Sequence, residues 1–179
     1  MSERRFNVLF LCTSNSARSI IAEALLNFWG KERFQAFSAG SRPKGEVHPL
    51  ALDVLRRNRI PAETARSKSV DEFARRDARP LDFVLTVCDN AAREPCPPWR
   101  GQPITAHWSV HDPAAAEGTL EERARAFSKV FRELDARLKL FIGLRLDMLG
   151  EVALKRKLDA IGQLAKSVNK RQDHHMVHS

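Results

Sequence analysis

FNVLFLCTSNSARS, residues 6–19, is the stretch that decides the fold. Phe6 to Leu11 is a short, continuous apolar run containing Val8 and two aromatic residues, the composition of a buried strand. A polar turn, CTSNSARS, follows it. From Ser19 the pattern becomes helical, with Ile20, Ile21, Ala24, Leu25, Phe28 and Trp29 on one face and Gly30 near the end. A buried strand that turns directly into an amphipathic helix predicts the first half of a βαβ unit.

The rest of the chain repeats this alternation. Gln35–Ala39 predicts a second strand, ended by Gly40, and SRPKGEVHP reads as a loop. Leu50–Arg59 predicts a helix that stops before Pro61, and a short helical piece lies near Val70–Arg75. Asp82–Val87 predicts a third strand leading into Cys88. Residues 88–103, with four prolines and two cysteines, read as a long loop of the kind that is usually functional. Ile104–Trp108 predicts a fourth strand. Thr119–Phe141 predicts a long helix opened by a capping box of Thr119 and Glu122. A basic helix is expected over Leu146–Ala165, with Leu154, Leu158, Ile161 and Leu164 on its packing face, followed by a disordered tail. The fold class is α/β: a parallel sheet with helices on both faces and an extra C-terminal helix. The expected division is a domain over 1–143, a helical extension over 144–166 and a tail over 167–179.

The 179 residues, 43% hydrophobic and 29% charged, suffice for one globular core without disulfide staples. No apolar run approaches the roughly 18 residues of a membrane span, and MSERRFNVLF lacks the pattern of a signal peptide. Three cysteines cannot build a disulfide framework, so a cytoplasmic protein with free thiols is expected. The net charge of +8 is spread along the chain, with no zinc-finger spacing and no aromatic-interleaved basic strand. It therefore predicts a surface around an anion-handling site, with no nucleic-acid or membrane partner.

Cys12 and Arg18 form C-x5-R, and of the three cysteines only Cys12 has an arginine at this spacing. The bare pattern is weak, but here it joins the end of a strand to the start of a helix. Thr13, Ser14, Asn15, Ser16 and Ala17 are small enough for their backbone N–H groups to turn inward around an oxyanion. The helix N-terminus adds partial positive charge. Arg18 can grip two oxygens through its planar fork. The same donors are expected to depress the pKa of Cys12 and make it a nucleophilic thiolate, with Ser19 donating a hydrogen bond to it. Asp112, fixed by Pro113 in an extended conformation after the fourth strand, is a candidate acid for a leaving oxygen. Cys88 ends the third strand on the same sheet edge as Cys12, and Cys96 lies in the Pro-rich loop. Their spacing is not that of zinc ligands, and no metal site is expected. Two more thiols beside a nucleophilic one permit a disulfide relay.

VLFLCTSNSARSIIAEAL, FSAG, LTVCDNAAREPCP and HWSVHDPA, in that order, resemble the low-molecular-weight tyrosine phosphatase superfamily. The closer resemblance is to its arsenate reductases coupled to thioredoxin or glutaredoxin, over residues 8–116 and on through the helix to about 142. The resemblance implies a four-stranded parallel sheet flanked by helices. It implies that Cys12 attacks arsenate, that Arg18 and the loop amides bind the oxyanion, and that Asp112 acts as acid. It further implies a Cys12–Cys88 disulfide that expels arsenite, then a Cys88–Cys96 disulfide reduced by an external dithiol, in a role of arsenic detoxification and resistance. No bound cofactor is implied. Thioredoxin is the preferred reductant, with glutaredoxin and glutathione the other route. Asn15 and Ser19 match positions that hold the loop in shape.

Three positions depart from the family pattern. Ser14 replaces a usual glycine, where a positive φ is expected to strain it. Ala17 replaces a frequent cysteine. Lys68 stands where some members have an Asp that binds potassium together with residues matching Asn15, Glu23 and Ser38, and its ammonium is expected to replace the ion.

Two other readings remain at this stage. A low-molecular-weight phosphatase would use the same Cys12, Arg18 and Asp112, with a phospho-Cys12 intermediate hydrolysed by water. DPAAAEG carries no aromatic residue to grip a phosphotyrosine ring, and the Cys88/Cys96 pair favours reduction. A non-enzymatic, redox-responsive or nucleic-acid-associated module would depend on the basic C-terminal helix and would lose its function on truncation near Gly143.

Overall fold

The computed structural model describes residues 4–175, with side chains described up to residue 164. Four parallel strands, β1 (Phe6–Cys12), β2 (Phe34–Gly40), β3 (Phe83–Thr86) and β4 (Ile104–His107), lie in the order β2-β1-β3-β4. The helices are α1 (Arg18–Trp29), α2 (Pro49–Arg57), α3 (Asp71–Ala74), α4 (Asp89–Arg93), α5 (Leu120–Ile142) and α6 (Glu151–His175), with a 3-10 turn at Pro113–Ala115. The expected α/β class and four-stranded sheet are observed.

Helices cover both faces because successive strand residues point to opposite sides. In β2, Phe34 meets Phe141 of α5 at 4.9 Å between ring centroids, while Phe37, an odd number of residues away, meets Phe73 of α3 at 5.6 Å. Phe141 also touches Phe83 and Trp108, so one ring ties β2, β3 and the residue that follows β4 to α5. Phe141→Ala would open a cavity costing about 3–5 kcal/mol.

Several boundaries differ from expectation. The stretch after Cys88 is not wholly a loop: Asp89–Arg93 forms α4, with the Cys88 sulfur accepting the Ala91 N–H at 3.4 Å. Helix α2 begins earlier, at Pro49, where a missing N–H costs nothing. Helix α6 begins later, at Glu151, and continues to His175, so it takes up most of the stretch expected as a tail; residues 176–179 lie outside the described residues. Its Leu154, Leu158 and Ile161 are buried in the main core, but Leu164 is 47% exposed. Gly162 permits this docking, because a Cβ there would stand 2.7 Å from the His107 carbonyl oxygen. Trp108 Nε1 donates to the Leu158 carbonyl at 3.0 Å. No helix among the described residues is long and apolar enough to cross a membrane.

Candidate active site

The sheet order reverses between β1 and β3, and in an open parallel sheet the crevice at the carboxyl ends of such a strand pair is where ligands bind. Cys12 ends β1, and Cys88 follows β3. Val87 N–H donates to the Leu11 carbonyl at 2.9 Å, which carries the pairing up to the two cysteines. Both side chains are buried, and each thiol strongly perturbs the titration of the other. Cys96 is exposed, and all three are free thiols.

The loop between Cys12 and α1 is held from outside. The carbonyls of Thr13, Ser14 and Ser16 accept from the amides of Arg42, Lys44 and His48 at 2.9, 3.0 and 2.9 Å. With these carbonyls turned toward residues 42–48, the loop amides are left for an anion. Ala17 caps α1 without any side-chain hydrogen bond, so the helix N-terminus keeps its donors as well. Asn15 takes the strained position, with φ 46°; Ser14 is not among the residues with positive φ, which corrects the expectation for residue 14. An asparagine tolerates this region better than most residues. Its side chain is fully committed: Nδ2 donates to Ser19 Oγ at 2.8 Å, and Oδ1 accepts the Lys68 N–H at 2.8 Å. Ser19 Oγ accepts in this bond, which leaves its own O–H to donate.

Gly40 does more than end β2. A Cβ there would meet the Thr13 carbonyl oxygen at 2.5 Å and Asn15 at 3.0 Å, so only glycine lets β2 pass behind the loop.

Arg18 Nη1 donates to the Val110 carbonyl at 3.1 Å, and its Nη2 stands 3.8 Å from Asp112 Oδ2. Asp112 Oδ1 accepts the Ala114 N–H at 3.0 Å, which fixes the carboxyl at the mouth of the site. Thr13 Oγ1 lies 3.6 Å from Cys88 Sγ and 3.5 Å from Glu94 Oε1.

The electrostatics of the thiols differ from the expectation of a simply acidified Cys12. Arg18 and the Thr13 N–H do pull the Cys12 pKa down, but its hydrogen bond to Cys88 and its burial outweigh them and hold it far above the usual thiol value. Cys88 is lowered to about 5, first by the hydrogen bond from Cys12, against burial, with further donors in Ala91 N–H and Thr13. The two shifts run in opposite directions and each is caused first by the other thiol, the pattern of a pair that titrates together.

The Lys68 ammonium is held among three oxygens, 3.0 Å from the Arg66 carbonyl, 3.3 Å from Ser38 Oγ and 3.4 Å from Glu23 Oε2. A second cation among the same oxygens would be repelled.

The family profile for low molecular weight phosphotyrosine protein phosphatase matches residues 7–158. The chain belongs to the low molecular weight phosphotyrosine protein phosphatase family. Within it, the chain is similar to proteins named arsenate reductase. The one from Halalkalibacterium halodurans is 36% identical over 138 residues, covering 75% of this chain and 93% of that protein. The one from Bacillus subtilis is 34% identical over 134 residues, with the same coverage. Among solved structures, an arsenate reductase from Archaeoglobus fulgidus matches with a TM-score of 0.60 at 28% identity, over 76% of this chain and 99% of that one. A thioredoxin-dependent arsenate reductase from Corynebacterium glutamicum matches with a TM-score of 0.52 at 27% identity, over 79% of this chain and 65% of that one.

Against this family background, the structure also reveals residues that sequence reasoning missed. His48 anchors Ser16 through its N–H, caps α2 through Nδ1 at 3.1 Å from Leu50 N, and stacks on Phe127 at 4.7 Å. Burial and the charges of Arg123 and Lys44 lower its pKa, while Asp112 raises it. The only sequence signal was a polar residue before a helix-opening proline. Behind Cys88, Asp89 Oδ1 is 2.9 Å from His107 Nε2 and 3.0 Å from Ser109 Oγ, and His107 Nδ1 is 2.7 Å from Thr86 Oγ1. This network ties the first turn of α4 to β3 and β4 and has no sequence signature.

Proposed function

We propose that the protein is an arsenate reductase in which Cys12, Cys88 and Cys96 pass two electrons to arsenic. Arsenate sits on the loop amides of residues 13–18, with the Arg18 fork on two oxygens. The proton shared by the thiol pair moves to Cys88, leaving Cys12 as thiolate. Cys12 Sγ then attacks arsenic, an As–O bond breaks, and Asp112 protonates the departing oxygen, which leaves as water. The field of Arg18 and of α1 stabilises the charge that develops.

Cys88, deprotonated again, attacks Cys12 Sγ. The S–As bond breaks, and its electron pair stays on arsenic, which leaves as arsenite. A Cys12–Cys88 disulfide forms. Thr13 Oγ1 and the Ala91 N–H stand ready to hold the Cys88 thiolate before this step. Cys96 then attacks Cys88 Sγ, frees the Cys12 thiolate and leaves Cys88–Cys96. Cys96 is exposed and separated from Cys12 by a small void of about 40 Å³ beneath residues 94–99, so this step needs the Pro-rich loop to close inward. An external dithiol restores the thiols, and a thioredoxin-like protein suits an exposed intramolecular disulfide better than a small monothiol does.

The observation that carries this reading is the placement of two buried thiols, Cys12 at the end of β1 and Cys88 just past β3, at the head of a loop with free backbone amides. A phosphatase needs a single thiolate and water; a second thiol on the nucleophile would divert its intermediate. The test is Cys88→Ser. The reduced variant is expected to accumulate arsenic on Cys12 and release no arsenite. Arsenite release at the wild-type rate would overturn the relay.

A further inference from the structure

The mechanism leaves one buried charge without a task. A cavity of about 610 Å³ beside the loop is lined by Arg18, Cys88 and Asp112 on one side and by Lys129, Glu133 and Arg137 of α5 on the other. The three α5 residues recur every four positions and so stand along one face of the helix. Arg137 is only 3% exposed. Its Nη1 donates to the Ser109 carbonyl at 3.1 Å. Its Nε and Nη2 have no hydrogen-bond partner and are shut from solvent.

A guanidinium carries donors in a fixed planar fork and does not escape burial by losing its proton. Buried charges are otherwise paired or hydrogen-bonded. Glu133, one turn earlier, contributes a favourable field but no acceptor for these two nitrogens. An apolar side chain of similar volume would fill the same space at no electrostatic cost. An arginine in the wall of a cavity, with two unpaired donors covered just behind that wall, is instead suited to a ligand with two oxygens that displaces the cover.

We propose that Arg137, with Lys129 at the rim, forms a second anion subsite beside the loop, taking a small carboxylate or tetrahedral oxyanion. Both ligand types present a pair of oxygens to the guanidinium fork. The acidic Asp89, Asp112 and Glu133 share the cavity and offset its three cations. That balance suits a small anion and disfavours a polyanion such as nucleic acid. Because Nε and Nη2 have no solvent exposure, the anion enters by a small movement of the cavity wall. An anion bound there shares the cavity with Cys88 and Asp112, next to the groups that carry the chemistry.

The test is calorimetric titration of the reduced full chain with inorganic phosphate and, separately, with succinate. Phosphate is expected to fill two sites in wild type, only the loop site in Arg137→Met, and only the second site in Arg18→Met. Lys129→Met, at an exposed position, is expected to weaken the second site about fivefold. Succinate binding that is lost in Arg137→Met but kept in Arg18→Met identifies carboxylates as the ligand class. A second phosphate site with no succinate binding identifies tetrahedral oxyanions. One phosphate site in both wild type and Arg137→Met, with no Arg137-dependent succinate binding, overturns the proposal. Should Arg137→Met not fold, unchanged phosphate and succinate binding in Lys129→Met overturns it.

Discussion

Cys12 ends β1 and Cys88 follows just past the end of β3, its parallel neighbour, so two buried thiols stand together at the switch point of the sheet. This juxtaposition makes the loop after β1 a candidate redox centre. It also means that the two sulfurs titrate together.

The first prediction is spectroscopic. In Cys96→Ser protein, thiolate absorbance is expected to rise by one equivalent with a midpoint near 5, the value to which Cys88 is lowered, and to show no second step until strong alkali. Cys88→Ser removes the low step. Two steps near the ordinary thiol value would show that the pair is uncoupled.

The same shifts set a stability profile. Cys88, depressed in the folded state, stabilises above the ordinary thiol value of 9.0 and loses that contribution as pH falls toward about 5. Cys12, held up in the folded state, stabilises below the ordinary thiol value and loses its contribution above it. The contribution of the pair therefore peaks near pH 9. Chemical denaturation of reduced protein is expected to show stability rising from pH 5 to 9 relative to a Cys88→Ser control. A flat difference would contradict the shared proton.

Asp112 and Arg18 separate by kinetics. Asp112→Asn keeps the shape and removes the proton, so kcat for arsenate is expected to fall at least about 100-fold with little change in KM. Arg18→Met removes an oxyanion donor and is expected to cost about 100-fold or more in kcat/KM. Steady-state rates with a thiol reductant measure both. An unchanged kcat in Asp112→Asn would remove the acid from the mechanism.

With the Lys68 ammonium among Glu23, Ser38 and the Arg66 carbonyl, the site is expected to need no potassium. Replacing potassium with sodium or choline is expected to leave arsenate turnover unchanged; a strong potassium optimum would contradict this. Lys68→Met leaves Glu23, whose pKa burial already raises, without its cation, and is expected to cost about 3 kcal/mol in denaturant unfolding.

Gly40→Ala tests the loop without touching a reacting group. The added methyl would press on the Thr13 carbonyl, a backbone atom that cannot swing aside. A loss of about 1–3 kcal/mol and weaker phosphate binding are expected, read by thermal melts with and without phosphate.

The sequence exposed the strands and the helical frame because period and composition record burial directly, as in Phe6–Leu11 and Thr119–Phe141. It placed Cys12, Arg18, Cys88 and Asp112 at one sheet edge because each follows a strand end. It could not show that Cys12 and Cys88 share a proton, since that depends on two strands meeting. Asn15 rather than Ser14 carries the positive φ because the Lys68 amide and Ser19 hold its side chain, contacts across 53 and 4 positions. Arg137 looked like one more charge on an amphipathic helix until packing closed over it. Helix α4 was obscured by the prolines that follow it.

The most direct test of the account is anaerobic single turnover of reduced protein with excess arsenate, followed by arsenite assay, intact mass and disulfide mapping. The account requires one arsenite per chain, a loss of two hydrogens, and a Cys12–Cys88 or Cys88–Cys96 link. No arsenite and no disulfide, alongside steady hydrolysis of an aryl phosphate, would contradict it and leave a phosphatase with two structural thiols.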